Sequence, residues 1–345
     1  MKIAFLNIYN GVVDRGSEVF VKEMAARLSQ KHSICIFQTG KKEKEKFKIQ
    51  QISGIPFTPF SSIYNFWALI FSLKCLPYLW GEKFDWIIPI NGRCQVIICR
   101  FLRFLRGGKI LISGHAGAGF EDKFNLLFGK PDIFVALSPA AFSWAKKVSS
   151  KRKILYIPNG VDEKRFNPQI LSKKLSLPRP IIICVSALLA YKRIDRLIKA
   201  ASLLSRKASL LIIGDGPLKK ELTVLGQKLL DDRFLLLQSV PYDEIGSYYN
   251  AADIFSLPSR ESEAFGLVYL EAMACNLPIV APNDINRRQI IGSAGLFCDV
   301  ENIKDYTQIL EQALDKDFND IPRKQAEKFT WEKMASQYEK ALQTV

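Results

Sequence analysis

The chain has 345 residues, 48% of them hydrophobic and 24% charged, and its 49 Lys and Arg against 34 Asp and Glu give a formal charge of +15. That length outgrows one ordinary core and asks for two domains, while the composition is that of a globular protein rather than a disordered or fibrous one. The excess charge would attract anionic lipid, phosphorylated ligands or nucleic acid. No helix-turn-helix, zinc finger or aromatic RNA-binding pattern accompanies it, so no nucleic-acid partner is expected.

The run Lys2 to Ile8 reads as a buried strand. A loop from Tyr9 to Gly16 leads into a helix that Ser17 can cap, with Val19, Phe20, Met24, Ala25 and Leu28 on its apolar face. Strand, Gly-containing loop and helix open a Rossmann-like unit, but GxGxxG is missing and a dinucleotide is not supported. This opening is too short for a signal peptide and lacks a small-residue cleavage site. Ser33 to Phe37 and Ile49 to Phe57 are further strands around the charged KKEKEKFK, a solvated loop. The aromatic stretch from Phe60 to Trp80 carries Lys74 as its one charge. It reads either as a core helix or as an interfacial helix beside the basic clusters at 41–48, 100–109 and 146–153. Nowhere do about 18 uncharged apolar residues run together, so no spanning helix is expected.

FDWIIPIN (84–91) and KILISGH (109–115) are two strands with a basic helix between them. His115 ends the second, before a Gly-rich loop, where open α/β sheets bring their ligands. A histidine satisfied by backbone is the other reading. Residues 133–138 and 154–158 complete the sheet. Asn159-Gly160 supplies a tight turn, and Pro168 to Pro180 reads as a linker. Seven cysteines without a CxxC pair, and only two histidines, fit reduced buried thiols in the cytoplasm and no metal site.

The second half begins with a buried strand, 181–185, then a loop with Lys192 and Arg193 and a helix with Ile194, Leu197, Ile198 and Ala201 inward. SLLIIGDGP (209–217) is strand then tight turn, with Gly214 letting backbone approach a ligand. Residues 234–259 give strand, short helix and strand. In ESEAFGLVYLEAMACNLPIVA (261–281) Gly266 opens a helix whose core stripe is Leu267, Leu270, Met273 and Ala274, leaving Glu271 off that stripe. The N–H groups of Phe265, Gly266 and Leu267 lie between Glu263 and Glu271, and such a helix start binds phosphate oxygens. A ligand with both hydroxyls and phosphate, such as a nucleotide sugar, suits two acids around an anion site. Asp315-Lys316-Asp317 is formally a DxD metal motif but sits at a polar helix end with no adjoining strand.

Glu263 and Glu271 in Glu-x7-Glu spacing, Phe265-Gly266 after the first and Glu-Ala-Met-Ala-Cys at the second make this chain similar to the retaining GT-B glycosyltransferases, family 4 type. IPNGVDEKRFNP (157–168) and SLLIIGDGP extend the likeness. It implies two Rossmann-like α/β domains facing each other across a cleft: 1–166 for the acceptor, 167–324 for the donor, and a C-terminal helix of about 325–345 returning to the first domain. The implied activity is transfer of a sugar from a nucleoside diphosphate sugar to an acceptor hydroxyl with retention, without cofactor or metal, in envelope polysaccharide or glycolipid synthesis. The implied catalytic residues are Lys192, Glu263 and His115. Donor contacts would come from Gly16, Ser17, Arg193, Gly214, Val240, Phe265, Gly266, Leu267 and Glu271. The location expected is cytoplasmic, peripheral on the inner face of an anionic membrane. Two departures stand out: Ala187 replaces an Arg that would grip the diphosphate, and Asn286-Arg287-Arg288 replaces a Gly pair. The alternatives are a sugar-nucleotide epimerase of the same architecture and a non-catalytic sugar-nucleotide-binding protein.

Overall fold

The computed structural model describes residues 1–41, 44–57, 63–238, 240–260 and 263–344. The start of the aromatic stretch, Phe60 to Ser62, part of the charged loop after Gly40, and the first two residues of the Glu-x7-Glu stretch, Glu261 and Ser262, lie outside them. Two compact units divide the chain, Met1–Asn159 with Trp331–Val345, and Gly160–Thr330.

The first unit runs β1 (Lys2–Leu6), α1 (Gly16–Leu28), β2 (Ser33–Gln38), β3 (Lys48–Gln51), α2 (Tyr64–Gly81), β4 (Trp86–Pro89), α3 (Gly92–Arg106), β5 (Lys109–Ser113), α4 (Phe120–Leu127), β6 (Ile133–Ala136), α5 (Pro139–Val148) and β7 (Lys153–Tyr156). All seven strands are parallel, in the order β3-β2-β1-β4-β5-β6-β7. Their apolar runs are nearly continuous because helices cover both faces. Two sequence expectations shift here. The third strand stops at Gln51 rather than Phe57, since Gly54 adopts φ +73° and Pro56 has no N–H to give the ladder. Ser17 does not cap α1: Gly16 already belongs to the helix and Arg15 is its cap residue, while the Ser17 hydroxyl donates to Glu18 at 3.0 Å.

The second unit runs β8 (Ile181–Val185), α6 (Ile194–Ser202), β9 (Ser209–Ile213), α7 (Lys219–Leu230), β10 (Phe234–Leu237), α8 (Ile245–Tyr249), β11 (Ile254–Ser256), α9 (Leu267–Ala274), β12 (Ile279–Pro282), α10 (Ile285–Ile291), β13 (Gly295–Cys298), α11 (Ile303–Asp315) and α12 (Ile321–Ala326). Its six strands are parallel in the order β10-β9-β8-β11-β12-β13. The segment read as a linker lies inside this unit. Ser172 and Lys173 bond to the carbonyls of Asn250 and Ser247, and Asn250 donates back to the carbonyls of Asn167 and Ile170. The last helix, α13 (Trp331–Gln343), belongs to the first unit, where Glu332 pairs with Arg27 and Tyr338 shares a hydrogen bond with Ser113.

Candidate active site

In each sheet the strand order reverses beside the first strand of the unit, between β1 and β4 and between β8 and β11. Loops leaving such neighbours diverge and open a crevice at the carboxyl ends of the strands. In the second unit those loops carry Lys192, after β8, and Glu263, after β11. The chain turns back in a 3-10 turn, Ala190–Lys192, and Arg193 takes a left-handed φ of +52° before α6 begins. Lys192 is thereby buried, and its ammonium forms an ion pair with the Glu263 carboxylate. Burial alone would lower the ammonium pKa. The carboxylate, with Tyr191 and Tyr269 nearby, outweighs that and the net shift is upward, so Lys192 stays charged.

Gly266 is the cap residue of α9 rather than its first helical residue, at φ +86° and ψ +70°. A Cβ there would lie 2.7 Å from the Tyr269 ring, and the left-handed backbone is strained for any other residue. The Tyr269 hydroxyl donates to the carbonyl of Leu257 at 2.8 Å, and Phe265 packs edge-on to Phe329. These contacts fix the turn that delivers Phe265 and Leu267 to the helix start.

Glu271 departs from expectation. The helix α9 is buried on nearly every side, and Glu271 with it. Its two carboxylate oxygens accept from Tyr242 at 3.1 Å and Tyr249 at 3.0 Å. Burial pushes its pKa up to about 7, against the pull of those hydroxyls and of Arg165. Val240, half-buried, lies just ahead of the 3-10 turn Tyr242–Glu244, so the stretch expected to meet a base also reaches Glu271 through Tyr242. Gly214 follows β9, where a Cβ would fall 1.8 Å from the Ser186 carbonyl oxygen. That close approach alone demands glycine.

The Arg193 guanidinium does not join Lys192 on Glu263. It donates to the carbonyls of Pro258, at 3.0 Å, and Ser259, and pairs with Glu301. With Arg260, Asn283, Asp284, Asp299 and Glu301 it lines a cavity of about 510 Å³ at the carboxyl ends of β12 and β13. Ala187 brings no charge to the β8 loop. Arg287, in the triplet that replaces a Gly pair, is buried. It donates to Asp284 at 2.6 Å, to the Ser259 hydroxyl at 2.7 Å and to the Arg260 carbonyl at 2.8 Å. It clamps the loop that leads to Glu263. Asp284 three residues earlier, a side-chain cap for α10, was the one local signal for it.

In the first unit the imidazole of His115 packs against the Phe20 ring, centroids 4.6 Å apart, which brings α1 with Gly16 and Ser17 to the loop after β5. Its Nε2 is buried without a hydrogen-bond partner among the described residues. Desolvation lowers its pKa to about 4, so the ring is neutral near pH 7. Asp122, unnoticed in the sequence, is buried under this loop with its pKa raised to about 7 by desolvation, and it accepts from Asn125 at 3.2 Å. Glu18 is similarly buried in the first turn of α1, its pKa raised by desolvation. No group of three or more His, Cys, Asp or Glu among the described residues is placed to hold a metal.

Two Rossmann-like units with parallel sheets define the GT-B class of fold, and solved structures agree. Sucrose-phosphate synthase from Thermosynechococcus elongatus superposes with a TM-score of 0.83 at 20% identity, over 99% of this chain and 98% of that one. Anabaena HepE in complex with UDP-glucose gives 0.79 at 16% identity over 100% of both. Residues 165–330, all within the second unit, match the family model for glycosyl transferases group 1. Among curated relatives, it is 31% identical over 183 residues to a GDP-mannose-dependent alpha-(1-6)-phosphatidylinositol monomannoside mannosyltransferase of Mycobacterium tuberculosis, covering 47% of each chain. It is 30% identical over 190 residues to a sulfoquinovosyl transferase of Arabidopsis thaliana, covering 50% of this chain and 36% of that one. The chain thus spans about half or less of the length of these two relatives.

Proposed function

We propose that the protein is a retaining glycosyltransferase that moves a sugar from a nucleoside diphosphate sugar to an acceptor hydroxyl, in the synthesis of an envelope polysaccharide or glycolipid. The observation that carries this reading is the Lys192–Glu263 pair at the switch point between β8 and β11, beside the start of α9. A diphosphate taking the place of the Glu263 carboxylate on Lys192 would also meet the N–H groups at 265–267, a preorganised electrostatic sink for the charge on the leaving group. Glu263, once released, is left to accept sugar hydroxyls, and Glu271 those of the ribose. His115 stays neutral in this scheme and offers hydrogen bonds rather than charge. The departing phosphate takes the acceptor proton, so the reaction asks for no side-chain base, cofactor or metal. A relative named as a phosphatidylinositol monomannoside mannosyltransferase favours a lipid-linked acceptor, and the formal charge of +15 favours a cytoplasmic protein peripheral on an anionic membrane. Among the described residues no helix is long and apolar enough to cross a membrane.

The test is a thermal-shift screen of UDP-, GDP- and ADP-sugars, followed by product analysis with the stabilising donor. A donor at about 100 times its Kd stabilises by about 2.7 kcal/mol. Lys192→Ala and Glu263→Ala should each abolish transfer in folded protein. Full activity in both variants would overturn the assignment, and an epimerised free nucleotide sugar would replace it with an epimerase.

A further inference from the structure

Helices α3 and α4 leave apolar side chains in solvent. On α3, Phe104 is 85% exposed and Phe101 59%, with Ile97 and Leu105 exposed beside them. These four fall at i, i+4, i+7 and i+8 and so share one face, while Val96, Cys99 and Leu102 turn the opposite face into the core. On α4 and its end, Phe120, 66% exposed, Leu127 and Phe128 repeat the same spacing. The two helices form one continuous surface. The Arg93 guanidinium lies over the rings of Phe120 and Phe124 at 5.1 and 5.8 Å, and Arg100 donates to the carbonyl of Phe128 at 2.7 Å. A contiguous exposed patch of this kind marks an interaction surface.

Its charge pattern selects the partner. Residues 92–130 hold seven Lys and Arg against two Asp and Glu. One of those acids, Asp122, is buried, and the other, Glu121, already faces Arg93 at 3.3 Å. Arg93 and Arg100 lie between the two helices, against Phe120, Phe124 and Phe128, and Arg106 lies over Trp80 at the end of α3. A duplex surface meets phosphates with cations and would not leave four phenylalanines in solvent. A second copy of the chain would bring like charges together. Exposed apolar side chains with cations beside them are the arrangement of a helix lying in the headgroup layer of an anionic bilayer. The aromatic stretch of α2 also exposes Phe66, Leu73, Tyr78 and Trp80, but Lys74 is its one charge, which makes it the weaker candidate for an anionic surface.

We propose that the α3–α4 face is the membrane-docking surface of the protein. Phe101, Phe104, Phe120 and Phe128 enter the interfacial layer of an anionic bilayer, and the surrounding cations meet its phosphates. The loop that follows His115 runs directly into α4, so on this unit the bilayer face is tied to the candidate acceptor loop. The assignment rests on the membrane-peripheral part of the function proposed above.

The experiment is flotation of the full chain with phosphatidylcholine vesicles, with and without phosphatidylglycerol. Binding is expected only with the anionic lipid. Phe104→Ser with Phe120→Ser should weaken it about a hundredfold, about tenfold for each partly immersed ring, and Lys123→Glu several-fold. These side chains are exposed, so circular dichroism and the thermal shift given by UDP should match the parent. An unchanged UDP shift with lost flotation supports the face independently of the enzymatic reading. Equal binding to neutral vesicles, double-variant binding like the parent's, or self-association or duplex DNA binding lost in the double variant in place of vesicle binding would each overturn it.

Discussion

The Lys192–Glu263 pair makes a quantitative prediction in the absence of any ligand. Both side chains are largely buried, about 10% and 16% exposed. Breaking a buried pair on one side leaves an uncompensated charge, which costs about 3–5 kcal/mol, whereas replacing both partners by apolar residues of similar size is often neutral or better. Glu263→Leu should therefore lower the melting temperature of the second unit by several degrees, at about 2–4 °C per kcal/mol for a unit of this size. Lys192→Met alone should cost a similar amount, and the double variant should recover most of the loss. A nucleoside diphosphate should stabilise Glu263→Leu by more than it stabilises the parent, since no carboxylate must first leave Lys192. Differential scanning calorimetry of the four proteins, with and without the ligand, gives the full cycle. Additive losses, with the double variant the least stable, would show that the two groups do not compensate one another. The ligand-exchange scheme would then fail with them.

Glu271 should make nucleotide binding depend on pH. Its folded-state pKa near 7 lies above the ordinary carboxyl value of 4.5, so the stability it contributes is complete below about pH 4.5 and is lost as pH rises toward 7. Ribose hydroxyls favour the ionised form, so affinity for the nucleoside diphosphate should fall as pH drops below about 7, by up to tenfold per unit. Isothermal titration should show this slope in the parent and its absence in Glu271→Gln; equal slopes would refute it. Arg287→Met leaves Asp284 and the carbonyl of Arg260 without their buried donor and should cost about 3 kcal/mol on chemical denaturation. Arg287→Lys, which restores charge but not the planar fork, should recover only part of the stability and of the donor KM. Wild-type behaviour in Arg287→Met would show the clamp to be dispensable.

The parallel sheets were legible because a strand buried on both faces needs little more than a continuous apolar run. Ile181–Val185 and Ile133–Ala136 have that form. Where the run was mixed, as after Ile49, a glycine and a proline decided the strand's end, and periodicity alone overran it. Loops at strand ends were legible too, since their place follows from the strands. Lys192, Glu263, Gly266 and His115 all stand there, and the structure puts the first two in contact. The burial of charged residues within helices was not legible. Glu271 looked like the outward member of an amphipathic stripe, yet α9 is covered on nearly every side and its partners, Tyr242 and Tyr249, come from well upstream. Arg287 is the same case: the carbonyls of Ser259 and Arg260 that accept from its guanidinium come from a segment well upstream of the triplet.

The two failures share a cause. A buried charge is tolerated only where partners from distant segments satisfy it, so its position is a property of the assembled unit and leaves no period in the sequence. The α3–α4 face is the converse case. Apolar residues at helical spacing on both faces read as an ordinary basic helix, and only the structure shows that one face found the core while the other, with Phe104 outermost, stays exposed among the described residues. Unsatisfied apolar surface and satisfied buried charge are thus the two places where this chain departs from local rules. Local rules are broken at a cost, and the compensating contact must lie inside the fold or beyond it. For Glu271 and Arg287 it lies inside. For Phe101 and Phe104 the described residues of their unit leave most of the side chain in solvent, which is why the bilayer is sought there.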